Sequence, residues 1–167
     1  QDAADAALNF ARQGFDAATA ADMIAPAMDL AAGTATDLAT VTSGVGNALK
    51  MFSDQGLKAN DAADMLAKAQ AQANTTVQDL FDSMSVAGPM LDSVGWSFKD
   101  LAVITDVFGD ASISGSEGAT AVKTGLARLA APAKEGADAM KKLGLSFFDA
   151  NGKMDDMQTM QKKLHDS

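Results

Sequence analysis

Carboxylates are the most numerous groups in this sequence that could carry out chemistry, with 22 Asp and Glu against 13 Lys and Arg. A pair of carboxylates can hydrolyse a glycosidic bond when burial raises the pKa of one of them. Nearly every aspartate here falls at a predicted helix start or on a polar helix face, where a carboxylate stays solvated. The sequence therefore predicts no catalytic carboxylate pair.

The chain lacks most of the side chains that usually carry out nucleophilic catalysis. The chain has no Cys and no Tyr, and its single histidine, His165, stands close to its C-terminal end. A triad needs a histidine held between a nucleophile and an orienting group, and a solvated helix terminus does not provide this. We predict that the chain is not an enzyme and has no catalytic, cofactor-binding or metal-binding residues.

Two short stretches resemble ligand-binding loops without matching them. In DANGKMDDMQTM, counted from Asp149, glycine is fourth and Met160 is twelfth. A calcium-binding EF-hand loop needs glycine sixth and glutamate twelfth. The stretch SGVGNAL contains a Gly-x-Gly, but it lacks the third glycine of a dinucleotide-binding turn and no strand precedes it.

Charge and composition exclude further classes. The net charge is −9, which opposes binding to the phosphates of nucleic acid. Residues 1–110 hold 15 Asp against 5 basic residues, whereas residues 111–167 hold 7 acids and 8 bases. No apolar run is long enough to span a membrane. With 35 alanines and 3 prolines, the chain is predicted to be all-α. Separately, we interpret the chain as a segment of a longer protein.

An internal repeat organises the first two thirds of the chain. The sequence Ala-Ala-Asp-Met ends at Met23 and again at Met65, 42 positions later. A glycine followed by a large hydrophobic residue starts each of three copies: Gly14-Phe15, Gly56-Leu57 and Gly95-Trp96. Repeats of this length indicate one supersecondary unit that buries its apolar face against its neighbours. We predict that the glycines are structural pivots and that Phe15, Leu57 and Trp96 are packing anchors.

Each copy is predicted to be a helical hairpin. The helices are expected at 17–32 and 35–52 in the first copy and at 60–73 and 77–88 in the second. The third copy is predicted to keep only its first helix before a glycine- and serine-rich loop at 109–118. Capping patterns are expected to start helices at Thr34, Thr76, Ser97 and Ser114, and glycines 56, 95 and 109 to end them.

The last third of the chain shows different sequence patterns. Helices are predicted at 118–130 and 133–143, separated by Pro132, because a proline ring cannot continue the helix. The dipeptide Asn151-Gly152 favours a tight turn, so residues 145–154 are predicted to form a small β-ribbon or an extended loop that packs Phe148. A final helix is expected at 155–165. The predicted architecture is a compact array of helical hairpins over 1–110, continued by residues 111–167, in which Gly115 is a further pivot.

Residues 113–164 resemble the core region of phage tail tape measure proteins. The resemblance rests on four elements in order: Gly115–Ala121, Arg128–Pro132, Lys141–Gly144 and Phe148–Lys153. Upstream, Gly56–Asp64 and Ala73–Leu80 are similar to the same family, so the resemblance covers about residues 14–164.

The resemblance implies a structural virion protein that sets tail length during assembly and leaves the tail ahead of the DNA. Implied partners are other copies of itself, tail tube proteins, tail tip or baseplate hub proteins and tail assembly chaperones. No sequence-specific binding of nucleic acid is implied. Implied locations are the tail lumen or tail tip of the virion, and the host cytoplasm during assembly. The alternative is a membrane-active module that contacts the host inner membrane on ejection and helps DNA cross it.

A continuous helical rod of this length would span roughly 250 Å at 1.5 Å per residue. The glycines, caps, Pro132 and the Asn-Gly turn all favour a chain that folds back on itself. We therefore predict a compact module carried on the ruler rather than a part of the rod.

Overall fold

The computed structural model describes residues 2–150 and 152–166, and over these residues the fold is all-α, as predicted. One short 3-10 turn, Ser53–Gln55, follows the third helix. The helices are α1 Asp2–Arg12, α2 Ala17–Thr34, α3 Leu38–Met51, α4 Ala59–Gln72, α5 Val77–Val94, α6 Phe98–Asp110, α7 Gly115–Ala130, α8 Lys134–Lys142 and α9 Met157–His165.

The first seven helices alternate between two layers. In the first layer, α1 packs on α3, α3 on α5 and α5 on α7; in the second layer, α2 packs on α4 and α4 on α6. The contact between α5 and α7 is the most extensive of all. Each helix is amphipathic, so stacked hairpins bury a continuous core that no single hairpin could form.

Side-chain caps start most of these helices, and three of the four that the sequence predicts are present. Thr76 and Ser97 form reciprocal capping boxes, and Ser114 accepts a hydrogen bond from the backbone N–H of Glu117. The cap predicted at Thr34 is wrong. Thr34 is the last residue of α2, and α3 is capped instead by Asp37, whose carboxylate accepts from Thr40 N. Aspartate caps a helix as well as threonine does, so either residue satisfied the pattern.

The third hairpin is complete, contrary to the prediction. The loop between α6 and α7 covers only residues 111–114, not 109–118. Gly109 is not a helix end: it lies inside α6, where an added Cβ would stand 2.7 Å from Asn74 O. The positive φ that closes this turn belongs to Ser112, at 59°. Gly109 thus permits close approach between α6 and the connector from α4 to α5 rather than chain reversal.

The buried core follows the helical stripes read from the sequence. Val41, Val45 and Phe52 are fully buried along α3, and Leu80 and Leu91 are buried along α5. Helix α5 continues to Val94, six residues beyond its predicted end, with Pro89 inside it. Pro89 and Ser85 are both exposed, so water can hydrogen-bond the Ser85 carbonyl that a proline leaves without a partner.

Beyond α7 the chain is less embedded. Pro132 lies between α7 and α8, as predicted, and no residue of α8 is buried. Residues 145–150 and 152–156 form an extended loop with an antiparallel bridge between Phe148 and Met154, which we call the docked ribbon. Phe147 (3% exposed) and Met154 (5% exposed) are its buried core residues, and Phe148, the anchor expected from the sequence, is half-buried and packs against the same core.

Candidate interaction site at the glycine turns

Three equivalent turns connect the first layer to the second. Gly14 follows α1, Gly56 follows α3 and Gly95 follows α5, with φ angles of 90°, 69° and 79°. In this left-handed region a residue with a Cβ is strained by about 1–2 kcal/mol. The glycines therefore let the chain reverse at these points, and the hydrophobic residue after each one belongs to the core or packs against it.

The three hydrophobic residues are buried to different degrees. Phe15 is half-buried, contacts Phe10 edge-on with ring centroids 6.2 Å apart, and has the ammonium of Lys50 5.3 Å from its ring centroid. Lys50 also donates to Gln13 O. Leu57 is half-buried, whereas Trp96 is only 6% exposed. The third turn is therefore the most enclosed.

The docked ribbon encloses the third glycine turn. Trp96 Nε1 donates to Asp155 O at 2.9 Å, and Gln55 Nε2 donates to Trp96 O at 3.0 Å. A Cβ on Gly95 would lie 2.4 Å from Cε of Lys153, so the Lys153 side chain passes directly over the glycine. Nothing lies within 4 Å of the same position at Gly14 or Gly56. The sequence carries no signal for these contacts, which join segments far apart in the chain.

Lys163 of α9 fixes the ribbon from its other side. Its ammonium donates to Asp155 Oδ2 at 2.5 Å and to Ser146 O at 2.9 Å. The Asp155 side chain is 9% exposed, so this ion pair is partly shielded from water. Met160, also from α9, is buried against the core. Ribbon and α9 thus dock as one unit.

The remaining predicted pivots have separate roles. Gly115 is the first residue of α7, where an added Cβ would lie 2.2 Å from Asp79 O on α5. Gly152 has a φ of 79° and donates its N–H to Asp149 O at 3.1 Å, which closes the ribbon turn. Asn151 lies outside the described residues.

One partly buried carboxylate was not singled out from the sequence. Asp106 on α6 has a buried Oδ1 for which no hydrogen-bond partner is found among the described residues. Burial, and secondarily the charge of Asp110 one turn later, raises the pKa of Asp106. The i, i+4 spacing of the two aspartates is visible in the sequence, but the burial is not.

The described residues contain no group of three or more His, Cys, Asp or Glu that could hold a metal ion. His165 is exposed at the end of α9, with Nδ1 3.2 Å from Asp166 Oδ1. Over the same residues, no helix has both the length and the apolar character needed to cross a membrane.

A groove of about 890 Å³ runs between α3 and α5. Phe81 and Met84 form its apolar part, and Gly44 allows the Phe81 ring to lie directly against α3. Lys50 is the one charged residue among those that line it. Small polar side chains, among them Thr40, Ser43 and Asn47, line the rest of the groove.

Comparison with known proteins decides the family. A family model described as "Phage-related minor tail protein" matches residues 1–167. The chain belongs to the phage-related minor tail protein family. Its members include phage tail structural proteins, and the fold and the turns described above are therefore those of a phage tail protein.

Named relatives of this minor tail protein agree. The chain is 32% identical to the "Tape measure protein" of Pneumococcus phage Dp-1 over 154 aligned residues. The aligned part covers 92% of this chain and 13% of the relative. The chain is 31% identical over 86 residues to the "Probable tape measure protein" of Escherichia phage P2, covering 52% of this chain and 11% of the relative. The chain thus spans a small part of the curated relatives it matches. No solved structure gives a significant match.

Proposed function

We propose that this chain is a folded module of a tape measure protein that sets tail length during assembly and leaves the tail lumen at DNA delivery. The relatives named tape measure proteins support the class of protein. The two-layer hairpin array is the observation that supports a module: stacked helices 11 to 18 residues long, α1 to α7, replace a continuous rod. Most of the tail length would then be measured by other parts of the protein.

The predicted regions 1–110 and 111–167 would act as one module. Two contacts support this. Helix α7 packs on α5 across the boundary, and the ribbon docks on Trp96. We propose that the module lies in the tail lumen or at the tip. Its partners there would be tail tube and tail tip or baseplate hub proteins, with other copies and tail assembly chaperones during assembly in the host cytoplasm.

An in-frame deletion in the full-length gene tests the proposal. Removing residues 56–94 deletes 39 residues, one hairpin repeat from the second turn to the end of α5. As helical rod, 39 residues would account for about 58 Å of tail. We expect tails of unchanged length that assemble poorly or deliver DNA inefficiently, measured by electron microscopy and by infectivity. Tails shortened by about 58 Å would contradict the proposal that this region is a folded module rather than helical rod.

A second measurement addresses the tape measure role itself. Antibodies or mass spectrometry should find the protein in purified tails and lose it from tails that have ejected their DNA. Retention of the protein in emptied tails would contradict release at delivery, whatever the deletion shows.

A further inference from the structure

The docked ribbon and α9 hold each other through contacts that lie within the pair. Lys163 of α9 donates to Asp155 Oδ2 at 2.5 Å and to Ser146 O at 2.9 Å, so it reaches both arms of the ribbon. The N–H of Gly152 donates to Asp149 O and closes the ribbon turn. We call the ribbon and α9 together the strap. These bonds do not involve the hairpin array of α1 to α7, so they can persist if the strap moves away from it.

The strap meets the array at the third glycine turn and through a few apolar side chains. Trp96 Nε1 donates to Asp155 O at 2.9 Å, and the Lys153 side chain passes over Gly95. The strap side chains that are buried in the core are Phe147, Met154 and Met160. All extensive helix pairs in the described part of the chain lie among α1 to α7. Attachment of the strap therefore depends on a small set of contacts rather than on interleaved helices.

Helix α8 connects the strap to the array, and none of its residues is buried. Gly144 follows α8 with a φ of 65°, and a Cβ added there would meet nothing within 4 Å. Glycine accepts many backbone conformations, and hinges are short segments of this kind that absorb a change of chain direction. A rotation at Gly144 can therefore move the strap while α8 gives up little buried surface.

The first two glycine turns show that the array does not need a strap. Nothing lies within 4 Å of an added Cβ at Gly14 or Gly56, yet both turns keep the left-handed φ. The hydrophobic residues that follow, Phe15 and Leu57, are half-buried without such a cover. The third turn should therefore keep its fold when the strap is away, with Trp96 exposed to about the same extent as Phe15 and Leu57.

Opening of the strap would uncover the single tryptophan of the chain. With the strap closed, Trp96 is 6% exposed and its indole N–H is bonded to Asp155 O. Tryptophan is one of the residue types that dominate the binding energy of protein–protein contacts. The closed strap thus withholds from other molecules both the ring and the hydrogen-bond donor that such a contact uses.

We infer that the strap opens and closes as one unit over the third glycine turn while α1 to α7 stay folded, and that its closed form masks Trp96 as a contact residue. Segments with few buried contacts open more readily than a protein unfolds as a whole. The strap is thus an internal cover whose removal creates an aromatic surface on the array. This inference does not depend on the proposed function.

Fluorescence of Trp96 in the 167-residue chain tests the inference, since no other tryptophan contributes. On titration with urea, we expect the emission to shift to the red, and quenching by acrylamide to rise, at a lower urea concentration than the loss of helical circular dichroism. Hydrogen exchange followed by mass spectrometry should give the ribbon and α9 one shared opening constant. That constant should exceed the constant for α3 and α5 by about tenfold or more.

Substitutions in the two halves of the strap test whether it moves as a unit. Phe147→Ala in the ribbon and Met160→Ala in α9 should each raise the open population on the order of 100-fold, until it saturates, because a buried side chain is lost. Each variant should accelerate exchange in both halves of the strap and leave α3 and α5 unchanged. The matched control Met28→Ala alters an exposed methionine of α2 and should leave the strap closed.

Four results would count against the strap. Emission and circular dichroism that change together would show that the strap leaves only when the array unfolds, and would overturn the inference. Acceleration confined to the half that carries the substitution would contradict a single unit. Loss of helix in α1 to α7 in either variant would show that the array needs the strap. Emission that stays unshifted while the strap exchanges would contradict the masking of Trp96.

Discussion

Two glycines of the same helix should respond to the same substitution with opposite signs. Gly115 and Gly125 both lie in α7, and both are replaced by alanine in this prediction. At Gly115 the new Cβ would stand 2.2 Å from Asp79 O and 2.8 Å from Ser83 Oγ. At Gly125 it would meet nothing within 4 Å. The pair separates the close approach of two helices from the general preference of helices for alanine.

The magnitudes follow from these distances. The atoms facing Gly115 include backbone, so α7 must move away from α5 by roughly 1 Å to restore ordinary contact distances. Overpacking of this kind costs about 1–3 kcal/mol. Gly125→Ala should instead stabilise the fold by up to about 1 kcal/mol through helix propensity. The two variants are therefore expected to differ by about 1–4 kcal/mol in the free energy of unfolding.

Urea denaturation followed by circular dichroism measures the difference. The protein concentration should be low enough for the chain to be monomeric, so that association does not contribute to stability. Equal slopes with separated midpoints would show that stability alone has changed. If Gly115→Ala is as stable as the wild type, α5 and α7 are not in close contact at this position and the packing described here is wrong.

Three further predictions concern the ribbon, the N-cap of α3 and the buried carboxylate. Trp96→Phe should cost about 1 kcal/mol by removing the hydrogen bond to Asp155 O, and hydrogen exchange should accelerate in residues 145–156 but not in α1. Asp37→Ala should cost about 1 kcal/mol in thermal unfolding, and more than Thr34→Ala, because Asp37 is the cap; the reverse order would restore the capping pattern read from the sequence. Asp106→Asn should stabilise the fold at pH 7 by less than about 1 kcal/mol, since the carboxylate is only partly buried. Because folding raises this pKa, the stabilisation should shrink as pH falls through the folded-state pKa, and a pH-independent effect would assign it to another cause.

Three of the turns in this fold have a local cause. A glycine with positive φ followed by a large hydrophobic residue is needed wherever a first-layer helix turns into a second-layer helix, and Gly14, Gly56 and Gly95 meet that need. Caps such as Thr76 and Ser97 are equally local, since donor and acceptor are three residues apart. The all-α class and the helix starts at Thr76, Ser97 and Ser114 therefore follow from short-range rules.

The features that were predicted wrongly or missed depend on contacts between residues that are distant in sequence. Gly109, Gly115 and Gly118 look like loop glycines in a linear reading, yet each lies against a residue of another element or helix and stays helical. The contact between Trp96 and Asp155 likewise has no local signature. The role of a glycine inside a helix depends on the residue that packs against it, and a single sequence does not show which residue that is.

The distances along the chain between bonded residues set an order of events for folding. Hydrogen bonds between neighbouring repeats, such as Gln55 to Trp96 and Gln70 to Thr34, join residues 41 and 36 positions apart, whereas the bond from Trp96 to Asp155 spans 59. Contacts of shorter range form faster because less loop entropy is lost. During synthesis, each hairpin can therefore settle on its predecessor as it emerges from the ribosome, and the ribbon closes over the third turn last. A very long chain built from such units can fold segment by segment behind the ribosome, and each segment can also open from its C-terminal end without disturbing those before it.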